Sequence, residues 1–204
     1  MLDHPLLIII GFGAAVYFFK LWWGDLQMDK RGTPNPNAFP GATPAPRIAM
    51  VVAVIGALVI LAGETAGEYA FGFVEEQSTI TILFALFTLS AAFLEELIFR
   101  GFLVISHKGR AILIGSILLF STLFALMHPF LWEWHDEEGL LFDFSGKAWF
   151  STSVVFLNSL WFYTVRFLPI NPRHSLLPCI LAHFSSNLGV IIIKAFQGHV
   201  VGLW

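Results

Sequence analysis

A single cysteine, Cys179, stands in a chain of 204 residues, which excludes an intrachain disulfide and any cysteine-rich metal centre. Charge is scarce too. Asp, Glu, Lys and Arg supply 12% of the residues, about half the ~25% share of a soluble domain. No tract of Lys and Arg is available to neutralise a phosphate backbone, so nucleic acid is not an expected partner. The opening stretch "MLDHPLLIII" lacks the positive segment of a cleaved signal peptide and reads as the start of a retained span. No internal repeat is visible, and no HExxH zinc-protease segment occurs.

What is abundant is apolar. The hydrophobic share is 57%, with 22 Phe and 7 Trp, a composition suited to lipid contact and interfacial anchoring. Runs able to cross roughly 30 Å of hydrocarbon lie at about 5–23, 48–63, 78–105, 111–128, 148–168 and 175–195. The second is short and the third long. Backbone groups in lipid must be satisfied internally, so each run is expected to be an α-helix. The expectation is an all-α, polytopic transmembrane bundle of about six spans in one membrane domain, 1–204, with lipid as its surroundings. Within it, 1–77 supplies two N-terminal spans and the Pro-rich segment "RGTPNPNAFPGATPAPR", which cannot be helical. Residues 78–196 form the remaining core.

Nine of the eleven Lys and Arg residues flank the first, third and fifth connections. By the positive-inside rule those connections are cytoplasmic and both chain ends face outward. The second connection is expected to carry Glu64, Glu68, Glu75 and Glu76, and the fourth is the acidic stretch "LWEWHDEEGLLFDF".

Few strongly polar groups remain inside the spans. Glu95, Glu96 and Arg100 lie in the third, His128 closes the fourth, and His183 and Asn187 sit in the sixth. A carboxylate at mid-membrane costs on the order of 3 kcal/mol even on lenient scales, and such groups usually mark function. Glu95 and His128 flank the turn near Gly109 at similar distances, so two antiparallel helices can present them at one height. His183 and Asn187 are four apart and share a helix face. Glu96 and Arg100, also four apart, form the favourable acid-first pair and read as a structural lock that leaves Glu95 chemically free. A pocket of this kind can activate water through Glu95 beside His128, with His183 and Asn187 donating to an oxyanion.

Three motifs carry a resemblance: "EELIFR" at 95–100, "FALMH" at 124–128 and "HFSSN" at 183–187. Their order and spacing resemble the EExxxR, FxxxH and HxxxN pattern of the CAAX prenyl endopeptidase and bacteriocin-processing group of intramembrane proteases. The resemblance implies a glutamate-dependent peptidase with no covalent intermediate and no cofactor. It implies catalytic roles for Glu95, His128, His183 and Asn187, with Glu96, Arg100 and Phe124 in support. A peptide or a membrane-protein segment is the expected substrate, and a bacterial or archaeal cell membrane the expected location. The acidic stretch after His128 is not part of the pattern.

Three alternatives stay open on the residues alone. Glu95, His128 and His183 are acceptable zinc ligands, which would make a metalloprotease. Cys179, His183 and Asn187 recur every four residues and echo a Cys/His/Asn set. A non-catalytic membrane protein could keep the pocket for binding. His4, His107, His174 and His199 lie near loops or ends and read as solvated. His135 could join Glu133 and Asp136 in a weak cation site, against the simpler reading of a solvated acidic loop.

Overall fold

The computed structural model describes residues 5–135 and 137–204; His4 and Asp136 lie outside them. Six long helices dominate. They are α1 (Pro5–Lys30), α2 (Arg47–Phe71), α3 (Ile82–Glu95), α4 (Arg110–Met127), α5 (Gly146–Phe167) and α6 (Leu177–Phe196). A 3-10 turn, Phe73–Glu76, follows α2, and a π-helical segment, Glu96–Leu103, prolongs α3. A β-hairpin of β1 (Trp132–His135) and β2 (Gly139–Phe142) stands between α4 and α5.

Among the described residues five spans are long and apolar enough to cross a membrane: α1, α2, α3 with its π continuation, α4 and α6. Their outward faces are apolar, with Ile9, Ile10, Val59 and Leu119 all exposed, which is the inverse of a soluble bundle. The chain is an integral membrane protein with a helical-bundle fold. Helix α5 is as long as the others but too polar for that set, and its Ser151, Thr152, Asn158, Ser159 and Arg166 are all buried. Polar groups turned inward are the tolerable arrangement in lipid, because only neighbouring helices can satisfy them.

Small residues set the closest packing. Ala49, Ala53 and Ala57 recur every four residues on α2 and are fully buried, a spacing that lets backbones approach. The Trp161 indole of α5 donates to the Ala53 carbonyl at 2.9 Å. It lies over Gly56, where a Cβ would overlap the ring.

The connections gather at two ends. At one, Arg173 grips the Asp29 carboxylate with both terminal nitrogens, at 2.6 and 2.8 Å. There the Leu176 amide donates to Gly41 at 3.0 Å, and the Ser175 hydroxyl to the Thr43 carbonyl. The Pro-rich loop is thereby an ordered lid over the end of the bundle. At the other end, Glu68 accepts from Lys147 at 2.7 Å and from Gln77, while Lys194 donates to the Ser78 carbonyl at 2.6 Å. The carbonyls of Gly202 and Leu203 there cap the free amides of Ile82 and Leu83 at the start of α3.

Three expectations need correction. The second span is not short: α2 runs on to Phe71, so Glu64 and Glu68 lie on the helix rather than in the connection. Pairing of Glu68 with Lys147 and Gln77 removes the reason to stop there. The third span is not one α-helix, since it changes to π geometry at Glu96. The acidic stretch is not a plain loop but forms the hairpin, whose second strand opens at Gly139 with φ 78°, a left-handed conformation that glycine adopts without strain.

The Pro-rich lid hangs on one buried carboxylate. Asp25 accepts from Asn35 Nδ2 at 2.9 Å and from the Phe39 amide at 2.8 Å. Asp25→Ala strands both donors and is expected to cost about 1–3 kcal/mol. Thermal denaturation in detergent should show the loss, and limited proteolysis should nick the chain within 31–46. An unchanged melting curve with no nicking would show that the lid holds by its other contacts.

Candidate active site

The π-helical segment Glu96–Leu103 opens the site. π-helical turns are rare and are frequent at functional sites. Here the Phe99 carbonyl accepts the Tyr163 hydroxyl at 2.8 Å, pinning the segment to α5. Glu96 and Arg100 are both fully buried, and their side chains meet at 3.1 Å. Arg100 also donates to Ser159 Oγ at 2.6 Å, and Ser159 donates to Ser121 Oγ at 3.0 Å. One guanidinium therefore ties the π segment to α5 and, through two serines, to α4. Four aromatic rings enclose it, with Phe124 nearest at 4.4 Å, then Tyr163 at 4.8 Å, Phe162 at 5.2 Å and Phe99 at 5.9 Å. Ring faces are the apolar surfaces that still favour a cation.

His183 enters from α6. Its Nδ1 lies 2.8 Å from Glu96 Oε1, the oxygen that Arg100 also holds. Its Nε2 lies 3.6 Å from Glu95 Oε2. Phe162 stacks on the imidazole at 4.8 Å and Phe124 meets it edge-on at 6.0 Å. The ring is thus gripped on a face and an edge, with a carboxylate at each nitrogen. The two glutamates differ in access: Glu96 is sealed, whereas the Glu95 side chain is 33% exposed.

His128 caps the last turn of α4 and is partly buried. Its Nδ1 meets the Phe124 carbonyl at 2.8 Å, so Nδ1 carries the proton toward that acceptor, and in the neutral ring Nε2 keeps a lone pair. Phe124 lies between the two histidines, 4.8 Å from His128 and 6.0 Å from His183. Asn187 uses one amide N–H on the Thr88 carbonyl of α3 at 3.1 Å and retains a second.

Glu95, Glu96, Arg100 and His183 are therefore in one contact network, Phe124 joins His128 to it, and Asn187 sits one turn along α6. Cys179 is elsewhere, fully buried with its thiol 3.2 Å from the Phe162 carbonyl, packed as a core residue. Among the described residues no three His, Cys, Asp or Glu side chains stand close enough together to hold a metal ion. His135 pairs with Glu133 at 2.8 Å on the open surface. Ser121, Ser159, Phe162, Tyr163 and Thr88 were not foreseen. Their signal was weak, because a lone serine or aromatic residue in an apolar span looks like ordinary packing. Ser159 beside Asn158 in α5 was the best available hint.

Fold and site together define a polytopic membrane protein whose bundle encloses a carboxylate–imidazole–guanidinium cluster. The family model "Type II CAAX prenyl endopeptidase Rce1-like" matches residues 77–189, more than half of the chain, and the chain belongs to that family. Membership makes it a CAAX-type intramembrane endopeptidase, a hydrolase acting on peptide or protein substrates. All three motifs fall inside the matched region. No curated protein and no solved structure matches the chain.

Proposed function

We propose that Glu95 and His128 activate the hydrolytic water and that His183 and Asn187 stabilise the tetrahedral oxyanion, without a metal. The observation that carries this reading is the placement of His183 between two carboxylates of unequal access. Glu96, already committed to Arg100, orients the ring through Nδ1. Glu95, reachable from outside, is free to take a proton from water. The lone pair on His128 Nε2 is a second acceptor for that water.

Nδ1 is engaged by Glu96, which leaves Nε2, 3.6 Å from Glu95, as the ring nitrogen available to the oxyanion. Asn187 adds its second amide N–H from the next turn. Attack by water on the scissile carbonyl gives a tetrahedral anion held by these donors. Collapse of that anion expels the amine, which takes up the proton that Glu95 received.

The test is proteolysis of a quenched-peptide library by the purified protein in detergent, wild type beside Glu95→Ala, with and without chelator. Cleavage that is chelator-insensitive and absent only from the variant is the expected result; zinc-dependent cleavage would overturn the metal-free route. Asn187→Ala is expected to lower kcat about 10²–10³-fold, the usual effect of losing one oxyanion donor. A change in KM alone would assign Asn187 to substrate binding instead.

A further inference from the structure

Helix α4 stops early. His183 lies six residues into α6, about 9 Å from its start, and thirteen before its end, about 20 Å. Phe124 bridges His128 to His183, so the C-terminus of α4 sits at the depth of the site while α6 continues beyond it. Helix α5 also continues: Phe162 stacks on His183, and Gly146 is sixteen residues away, about 24 Å up the same helix. The chain that joins α4 to α5 leaves from this depth, and most of its described residues belong to the hairpin.

The hairpin is seated on the turn that presents His128. The Trp132 indole donates to the Leu126 carbonyl at 2.7 Å, and the Phe130 ring lies parallel to His128 at 6.3 Å. Its two faces differ. Cross-strand pairs Trp132–Phe142 and Trp134–Leu140 share one face, while Glu133–Leu141 and His135–Gly139 share the other. The aromatic face is open, with Trp134 58% and Phe142 63% exposed. Between Pro129 and Ser145 the sequence holds five acidic residues and no Lys or Arg. Lys147, the next cation, is already taken by Glu68, and Glu133 has only the His135 imidazole beside it, at 2.8 Å on the same face.

Among the described residues the sheet has only two strands, so both edges are open. An open edge is intolerable in hydrocarbon and is a ready template for another strand. We infer that the outer edge of β1 receives an extended segment of the substrate as a third strand, and that this segment alternates basic and apolar residues. Its basic side chains lie over the Glu133 face and its apolar ones over the Trp132–Trp134 face, and the chain runs on past His128 toward Glu95. Backbone pairing supplies the hold and the two faces supply the selection. The inference rests on the proposed peptidase reading for the step that follows docking.

Binding is measured separately from cleavage. The probe is a fluorescein-labelled decapeptide of alternating lysine and valine, titrated into full-length Glu95→Gln protein in detergent and followed by anisotropy. Adding Glu133→Lys and Glu138→Lys is expected to weaken binding at least tenfold and to favour a glutamate–valine peptide. N-methylation of the peptide, which needs no change in the protein, is expected to weaken binding about tenfold at every second residue and little between. Equal affinity across hairpin variants, or loss that does not alternate, overturns the inference. Quenching of Trp134 by bromolipid in vesicles that the peptide does not relieve would also overturn it, assigning the face to lipid. A bound peptide that the active protein never cleaves would instead count against the peptidase roles and leave the docking intact.

Discussion

Glu95→Gln is expected to lower kcat by about 10²–10⁴-fold, the range for loss of a general base, while KM and melting temperature stay close to wild type. The structure motivates each part of that expectation. Glu95 is 33% exposed, and its one described polar contact is with His183 at 3.6 Å, so little of the fold depends on its charge. Gln keeps the shape and removes the proton acceptor. Single-turnover cleavage of a peptide substrate, read beside a thermal melt in the same detergent, checks both halves. Turnover within threefold of wild type would remove Glu95 from the chemistry. A melting temperature that falls with activity would recast it as structural.

Arg100→Met should act in the opposite way, through stability first. Glu96 is fully buried, and Arg100 is the cation beside it. Breaking a buried pair from one side typically costs on the order of 3–5 kcal/mol, because the remaining charge is left uncompensated. The Arg100 bond to Ser159 and, through it, the link to Ser121 are lost as well. Arg100→Lys should rescue only in part, since one ammonium cannot reproduce the planar fork that meets Glu96 and Ser159 together. The double variant Glu96→Gln/Arg100→Met should be less damaged than the two single losses added together. Denaturant titrations of the four proteins give the coupling directly. Additive losses would mean that the two side chains act independently despite the 3.1 Å contact.

The helical fold was legible in the sequence because hydropathy is a local property. Of the six expected runs, those for α4, α5 and α6 coincide with the helices to within a residue or two. The errors fall where tertiary contacts override local pattern. Glu64 and Glu68 looked like the end of a span, yet α2 continues because Lys147, far along the chain, meets Glu68. The acidic stretch looked like a loop because its two strands are short and Asp136, Glu137, Glu138 and Asp143 flank them in the sequence. Its alternation, with Trp132 and Trp134 on one side and Glu133 on the other, was present in the sequence but too brief to outweigh the charge.

The candidate site divides in the same way. Glu95, Glu96, Arg100, His128, His183 and Asn187 stood out because each is expensive in an apolar span. Their mutual roles depend on geometry that spacing does not contain. Which nitrogen of His183 meets which carboxylate follows from the rotation of α6 against the π segment, across 87 residues of chain. The partnership of Arg100 with Ser159 spans 59 residues.

By itself, then, the sequence determined that this chain lies in the membrane, about where its helices run, and which polar side chains are embedded in them. Those properties come from transfer free energies that each segment carries alone. Only the tertiary structure decided that the third span unwinds to π geometry at Glu96, that Glu96 is sealed while Glu95 stays open, and that α4 ends level with the site beside an open strand edge. These are outcomes of packing between distant segments. In a solvent that offers no hydrogen bonds, each polar group must find its partner elsewhere in the bundle.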